Sequence, residues 1–357
     1  MLRDIFKCNY IPTLCVRPAE MRALEELPET DKDLLFPFIL LSPWVGSNEL
    51  KSSIDRLEKS YGSRTFILGI DRYYNHQSPK RQAQFDIISM LKGEDNFKEY
   101  YDFASDIEQA IPCAFLREDN YACLEIQIDR CLALGRGVVL SIDKNRSVIS
   151  NNLTSLISQY DPKDIAVHID GGWSKNEQID ALWYINVCKS IYSQNEKCAI
   201  VVSCSSFPKG FDNVEGVIDI PIGSRQLFNE VSGNFNNETI IYGDWASTKP
   251  RSDERGSQPR PRIDYALHDK WVISRKWTLG SKDNWDYDDA ANNLIESEFW
   301  PSSINVWGEM RIQQTALGMA FSIENAPANV AARINVHLHQ QTNFGGVIIS
   351  TDDVWED

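Results

Sequence analysis

Thr239-Ile-Ile-Tyr-Gly-Asp-Trp245 is a short apolar run that closes on a glycine and then a carboxylate, Asp244. A buried strand reads this way at its carboxyl end. A similar ending, an apolar run that delivers an Asp, recurs upstream in Phe66-Ile-Leu-Gly-Ile-Asp71, Gly137-Val-Val-Leu-Ser-Ile-Asp143 and Ala166-Val-His-Ile-Asp170. In a parallel barrel the carboxyl ends of all strands share one face, and functional groups gather there. The recurring carboxylates therefore predict both a fold and the face on which to look for a site.

Working outward, further strand-length runs lie at residues 10–16, 36–42, 111–116 and 198–203, making a set of eight. Helical patterns separate them at residues 19–27, 49–61, within 78–110, and at 121–134, 152–159, 177–192 and 224–231. In the first of these Met21, Leu24 and Leu27 recur at helical spacing, with charges between them. Uninterrupted alternation predicts a parallel sheet, because each parallel crossover needs a connection as long as a helix. Eight units favour closure, so the predicted fold class is α/β, a (β/α)8 TIM-barrel-like domain over residues 1–248. No GxGxxG or GxxxxGK[ST] phosphate cradle follows any strand.

Beyond Trp245 the character changes. Residues 249–262 are rich in Pro, Gly and charge, are locally basic, and predict a mobile loop. Residues 263–267 and 271–277 alternate like a β-hairpin, and helical patterns follow at 287–299, 309–317 and 329–339. A C-terminal α+β extension over residues 249–357 is expected, packed on the barrel.

Composition narrows the classes of function. The 357 residues are 42% hydrophobic and 24% charged, enough apolar material for an ordinary core. A net charge of -15 speaks against non-specific binding of duplex nucleic acid, which needs a basic surface to neutralise phosphates. No run approaches the ~20 apolar residues of a membrane span, and the N-terminus lacks the apolar stretch of a secretory signal. The expected location is the cytoplasm. The eight cysteines form no CxxC pair and read as small buried hydrophobes.

The candidate chemistry sits at the strand ends. Asp71, Asp170 and Asp244 have the residue type to hold a divalent metal such as Mg²⁺ or Ca²⁺, or to divide acid and base roles. The structural alternative is that they cap helices or pair with Arg72 and Arg117, leaving no chemistry. Arg72 and Arg117 follow the third and fourth strands, and with Arg262 and Arg275 they offer forked donors for a phosphate or carboxylate. Ser205 and Ser206 follow the seventh strand without a nucleophile-elbow frame, so they read as ligand hydrogen-bonders. Trp44, Trp173 and Trp245 each come just after a strand and are candidates to line the barrel mouth. His168 lies two residues before Asp170 and faces the same way along the strand. His337 and His339 are spaced for joint chelation only on a strand, not on a helix.

Several pieces occur together: Tyr10-Ile-Pro with Glu20 and Ala23-Leu24, Ser205-Ser-Phe-Pro208, Tyr242-Gly-Asp244, Arg262-Ile-Asp-Tyr265 with Trp271 and Arg275, and Asn335-Val-His337. In this order they resemble the beta protein family, named for a T-even bacteriophage protein. Two positions depart from that pattern: Val336 stands where a histidine is expected, and Asp143 where a basic residue is more usual. The resemblance implies a phage, mobile-element or antiviral-defence setting, and a partner protein of a defence system or a phage protein as partner. It implies no agreed activity. Two functions stay open: an enzyme acting on a phosphate- or sugar-bearing, nucleotide-like ligand at the carboxyl face, or a non-catalytic recognition subunit. Fold alone does not choose between them.

Overall fold

A computed structural model describes residues 1–75, 77–174, 177–211, 214–236, 239–250, 260–276, 284–301 and 304–345. In chain order the strands are β1 Tyr10–Cys15, β2 Phe38–Leu41, β3 Phe66–Ile70, β4 Ala110–Phe115, β5 Val138–Asp143, β6 Ile165–Trp173, β7 Ala199–Ser205, β8 Gly216–Pro221, β9 Ile240–Asp244, β10 Ile263–Ala266 and β11 Lys270–Arg275. The helices are α1 Pro18–Glu25, α2 Glu29–Leu34, α3 Lys51–Tyr61, α4 Gln82–Lys92, α5 Glu94–Ser105, α6 Tyr121–Leu132, α7 Asn151–Ile157, α8 Glu177–Tyr192, α9 Gly223–Ser232, α10 Tyr287–Ile295, α11 Trp307–Ala316 and α12 Ala326–Thr342. Strands β1 to β7 and β9 close an all-parallel barrel, the (β/α)8 fold expected from the alternation.

The register explains why the strands read as nearly continuous apolar runs. One parity faces the helices: Leu140, Ile142, Val167, Ile169, Ile200 and Val202 share a core with Leu124, Ile128, Leu153, Tyr184 and Leu227. The other parity faces the lumen, so both faces are buried. Gly243 is on the lumen side, where an added Cβ would lie 2.9 Å from Val201 Cγ1 and 3.0 Å from the Ile11 carbonyl. That close approach accounts for the glycine before Asp244.

The chain divides into two compact units that interleave in sequence. The first holds residues 1–17, 34–207 and 223–252, and the second holds 18–33, 208–222 and 253–357. A single cut after residue 248 does not describe this division, because the segment after β1 and the one containing β8 belong to the second unit. In that unit the expected hairpin β10–β11 is present, but it is extended by β8, which pairs antiparallel with β11. The run Val217-Ile-Asp-Ile220 carries the strand signal, hidden inside what the alternation treats as a helical crossover. His337 and His339 lie on α12, so they point apart, and the Nδ1 of His339 meets Asp31 at 2.6 Å. Most of the 249–262 stretch, at 251–259, lies outside the described residues, as does Trp277 of the expected hairpin.

Candidate functional site

The carboxyl ends of the barrel strands bring three of the four recurring carboxylates to the lumen. Asp71 follows β3 and accepts the Ser42 hydroxyl at 2.8 Å, Arg17 Nη2 at 3.2 Å and the Tyr73 amide at 3.2 Å. Asp170 accepts the Gly172 amide at 2.9 Å and the Trp245 indole N–H at 3.1 Å, and it pairs with Arg72 Nη2. Asp143 meets Arg72 Nε at 2.9 Å and Arg146 Nε at 3.7 Å. Burial pulls the Arg72 pKa down, but the charges of Asp170 and Asp143 more than offset it, so the guanidinium is held above its ordinary value.

Asp244 is different. It ends β9 at the same end of the barrel, but its partner in register is Cys204, a residue of the helix-facing core. Its carboxylate accepts Tyr10 Oη at 2.6 Å, Tyr242 Oη at 2.8 Å and the Ala246 amide at 2.8 Å. Tyr10 and Tyr242 stack at 5.4 Å, and Arg225 of α9 lies 3.3 Å over the Tyr242 ring. The expectation that Asp71, Asp170 and Asp244 share one ligand set is therefore corrected: the side chains occupy opposite faces of the sheet. Among the described residues no group of three or more His, Cys, Asp or Glu is placed to hold a metal ion.

Arg72 and Arg117 both line a cavity of about 50 Å³ at this face, with Arg146, Asp143, Ser141, Phe38, Phe97 and Phe115 among its walls. Arg117 donates to the Lys92 carbonyl at 2.9 Å and to the Leu91 carbonyl, and it lies 4.7 Å over the Phe97 ring. Burial and then the neighbouring Arg146 charge hold its pKa below the ordinary value. Tyr73 carries Arg72 at 5.2 Å and Arg146 at 5.7 Å over its ring. Arg146 and Arg17 were missed in the sequence. The available signal for Arg146 was its place in the loop after β5, matching Arg72 and Arg117 after β3 and β4.

The remaining candidates separate. Trp245 is buried in the lumen. Trp173 instead donates to the Phe207 carbonyl at 2.9 Å, and Trp44 lies 5.5 Å under Arg56 of α3. Ser205 donates to the Thr248 carbonyl, and Ser206 accepts the Ser224 amide at 2.8 Å, so both hydroxyls serve loop structure. Arg262 belongs to the second unit, where it bonds Asp264 at 2.7 Å beside Arg333. Arg275 of that unit donates to the Phe211 carbonyl. His168 stacks on Phe38 at 4.3 Å inside the barrel, and burial, then the charge of Arg72, depress its pKa to about 3.

A family model described as Beta protein matches residues 10–343. "Protein beta" of Enterobacteria phage P4 is 26% identical over 342 residues, spanning 93% of this chain and 92% of that protein. That phage is P4, not a T-even phage. Among solved structures, a type I 3-dehydroquinate dehydratase from Clostridium difficile is similar at 9% identity and a TM-score of 0.39, over 67% of this chain and 86% of the other. The carboxyl transferase domain of Rhizobium etli pyruvate carboxylase is similar at 8% identity and a TM-score of 0.39, over 96% and 48% respectively.

Proposed function

The chain belongs to the Beta protein family, and from the arginines at its barrel mouth we propose that it binds a small phosphate-bearing, nucleotide-like ligand there. The observation that carries this reading is the pair Arg117 and Arg146. Among the described residues no carboxylate partners Arg117, and the neighbouring Arg146 charge adds to burial in disfavouring its charged form. An anion between the two offsets that repulsion, and the forked donors of arginine suit phosphate oxygens. The apolar wall of Leu91, Phe97 and Phe115 suits a base or other flat apolar portion.

Binding is favoured over acid–base chemistry by the carboxylates. Asp71, Asp143 and Asp170 each have an arginine partner, so their charge is already committed. Such a site fits recognition of a ligand in a phage or antiviral-defence setting, where sensing rather than turnover is the task.

The test is a thermal-shift series with nucleoside mono-, di- and triphosphates on wild type, Arg117→Ala and Arg146→Ala. A ligand at a hundred times its Kd stabilises by about 2.7 kcal/mol. Wild type should therefore melt several degrees higher with at least one of them, and both variants should lose most of that gain. Absence of any shift in wild type, or an equal shift in the variants, rejects the reading.

A further inference from the structure

Below the arginine cavity the lumen departs from an ordinary barrel core. Such barrels fill each layer with four side chains from alternate strands, mostly bulky branched ones. Here the continuous register places Thr13 of β1, Gly69 of β3, Ser141 of β5 and Ser203 of β7 in one layer. All four are small, and three carry hydroxyls. The next layer down holds Phe38, Cys113, His168 and Gly243, with the Phe38 and His168 rings stacked.

Four polar atoms at this depth have no hydrogen-bond partner within the protein: Thr13 Oγ1, Ser203 Oγ, and both ring nitrogens of His168. The three residues are 1%, 0% and 1% exposed. Buried polar groups are nearly always bonded, so a cluster of unbonded ones inside one lumen needs a partner from outside the chain. Their neighbours line the cavity, although Thr13, Ser203 and His168 are not themselves part of its wall. Ser141 and Phe38 form part of its wall, Ser141 pairs in register with His168, and Phe38 lies flat on the imidazole.

We propose that the anion site continues down into the lumen as a subsite for an uncharged, hydroxyl-bearing part of the ligand, which makes the class a sugar or polyol phosphate, with His168 setting the specificity. This rests on the phosphate-binding reading of the same cavity. A neutral imidazole offers one donor and one acceptor, and serine and threonine hydroxyls offer both, so together they match hydroxyl groups and not a second charge. A space of about 50 Å³ takes groups the size of a few waters, so a hydroxyl or hydroxymethyl reaches down while the phosphate stays on Arg117 and Arg146. The apolar wall of Leu91 and Phe97 flanks the mouth above it.

The experiment is calorimetric titration of the full chain with three probes: inorganic phosphate, butyl phosphate and ribose 5-phosphate. Wild type is expected to bind ribose 5-phosphate at least about tenfold more tightly than the other two. His168→Phe keeps the ring that stacks on Phe38 and should reduce that ratio to less than about twofold. His168→Gln, which restores one donor and one acceptor, should recover part of it. A ratio unchanged in His168→Phe, or butyl phosphate binding as well as ribose 5-phosphate in wild type, overturns the subsite while leaving the anion reading intact. Failure of wild type to bind any of the three overturns the subsite, and the anion reading falls with it only if the nucleoside phosphates also give no thermal shift.

Discussion

Asp244 stands with the other strand-end carboxylates in sequence, yet its side chain is on the helix side of the sheet, held by two tyrosine hydroxyls and an amide. Asparagine keeps its volume but offers one acceptor oxygen in place of two and turns an NH₂ toward a tyrosine. Asp244→Asn should cost about 2–3 kcal/mol through the stranded hydrogen bonds. The melting temperature should fall by several degrees while ligand binding at the arginine cavity persists. An unchanged melt with lost binding would return Asp244 to the site. His168 gives a second test, in pH. Its imidazole takes a proton near 6.5 when unfolded but only near 3 when folded. Between those values the unfolded state binds more protons, so stability falls as pH falls, and above 6.5 the group contributes no slope. The slope is at most about 1.4 kcal/mol per pH unit. Melts of wild type and His168→Phe from neutral pH down to pH ~4 should diverge, the variant losing less. Parallel curves would mean that the imidazole is not buried neutral.

At the level of elements, one residue of the motif pieces that carry the family resemblance, Asn335, is a joint of the second unit. Asn335 of α12 accepts the Gly308 amide at 2.8 Å and donates to the Ala23 carbonyl at 3.0 Å, so one side chain ties α12 to α11 and α1. Glu309 accepts the Ile304 and Asn305 amides at 2.9 and 2.8 Å ahead of α11. Where α11 meets α12, a Cβ on Gly308 would lie 2.2 Å from the Ala332 carbonyl oxygen, a backbone atom that cannot rotate away. Gly308→Ala should therefore cost at least about 1–3 kcal/mol, seen as an earlier midpoint in urea. A variant as stable as wild type would show that the helix crossing adjusts freely. None of this was legible in the sequence, because glycine and asparagine inside helices signal only a weak local propensity. The partner that makes them necessary lies on another helix.

Over the whole molecule, charge and site run in opposite directions. The chain carries -15, yet the cavity at the barrel mouth is walled by Arg72, Arg117 and Arg146. Under the proposed reading a small anion needs only that local basic site, whereas duplex binding scales with the phosphates neutralised over a whole surface. Among the described residues no helix is long and apolar enough to cross a membrane. The interleaving of the two units in sequence also has a physical cause. Sheet pairing with β11 recruits β8 from between two barrel strands, and the Asn335 bond recruits α1 from the first crossover.

The barrel itself was determined locally. Strand-length apolar runs alternating with amphipathic helices leave few ways to bury both faces of a sheet, and closure of eight is one of them. The rim was legible for the same reason: a residue at the end of a parallel strand must sit at one end of the barrel. Which way each rim side chain points depends on register, and a shift of one residue exchanges lumen for helix face. That shift separates Asp244 from Asp170. Which charges are left unspent depends on ion pairs between residues far apart in the chain, such as Arg72 with Asp170 and Arg17 with Asp71. Only the tertiary structure decides those, because they are set by distance in space, which residue order does not encode.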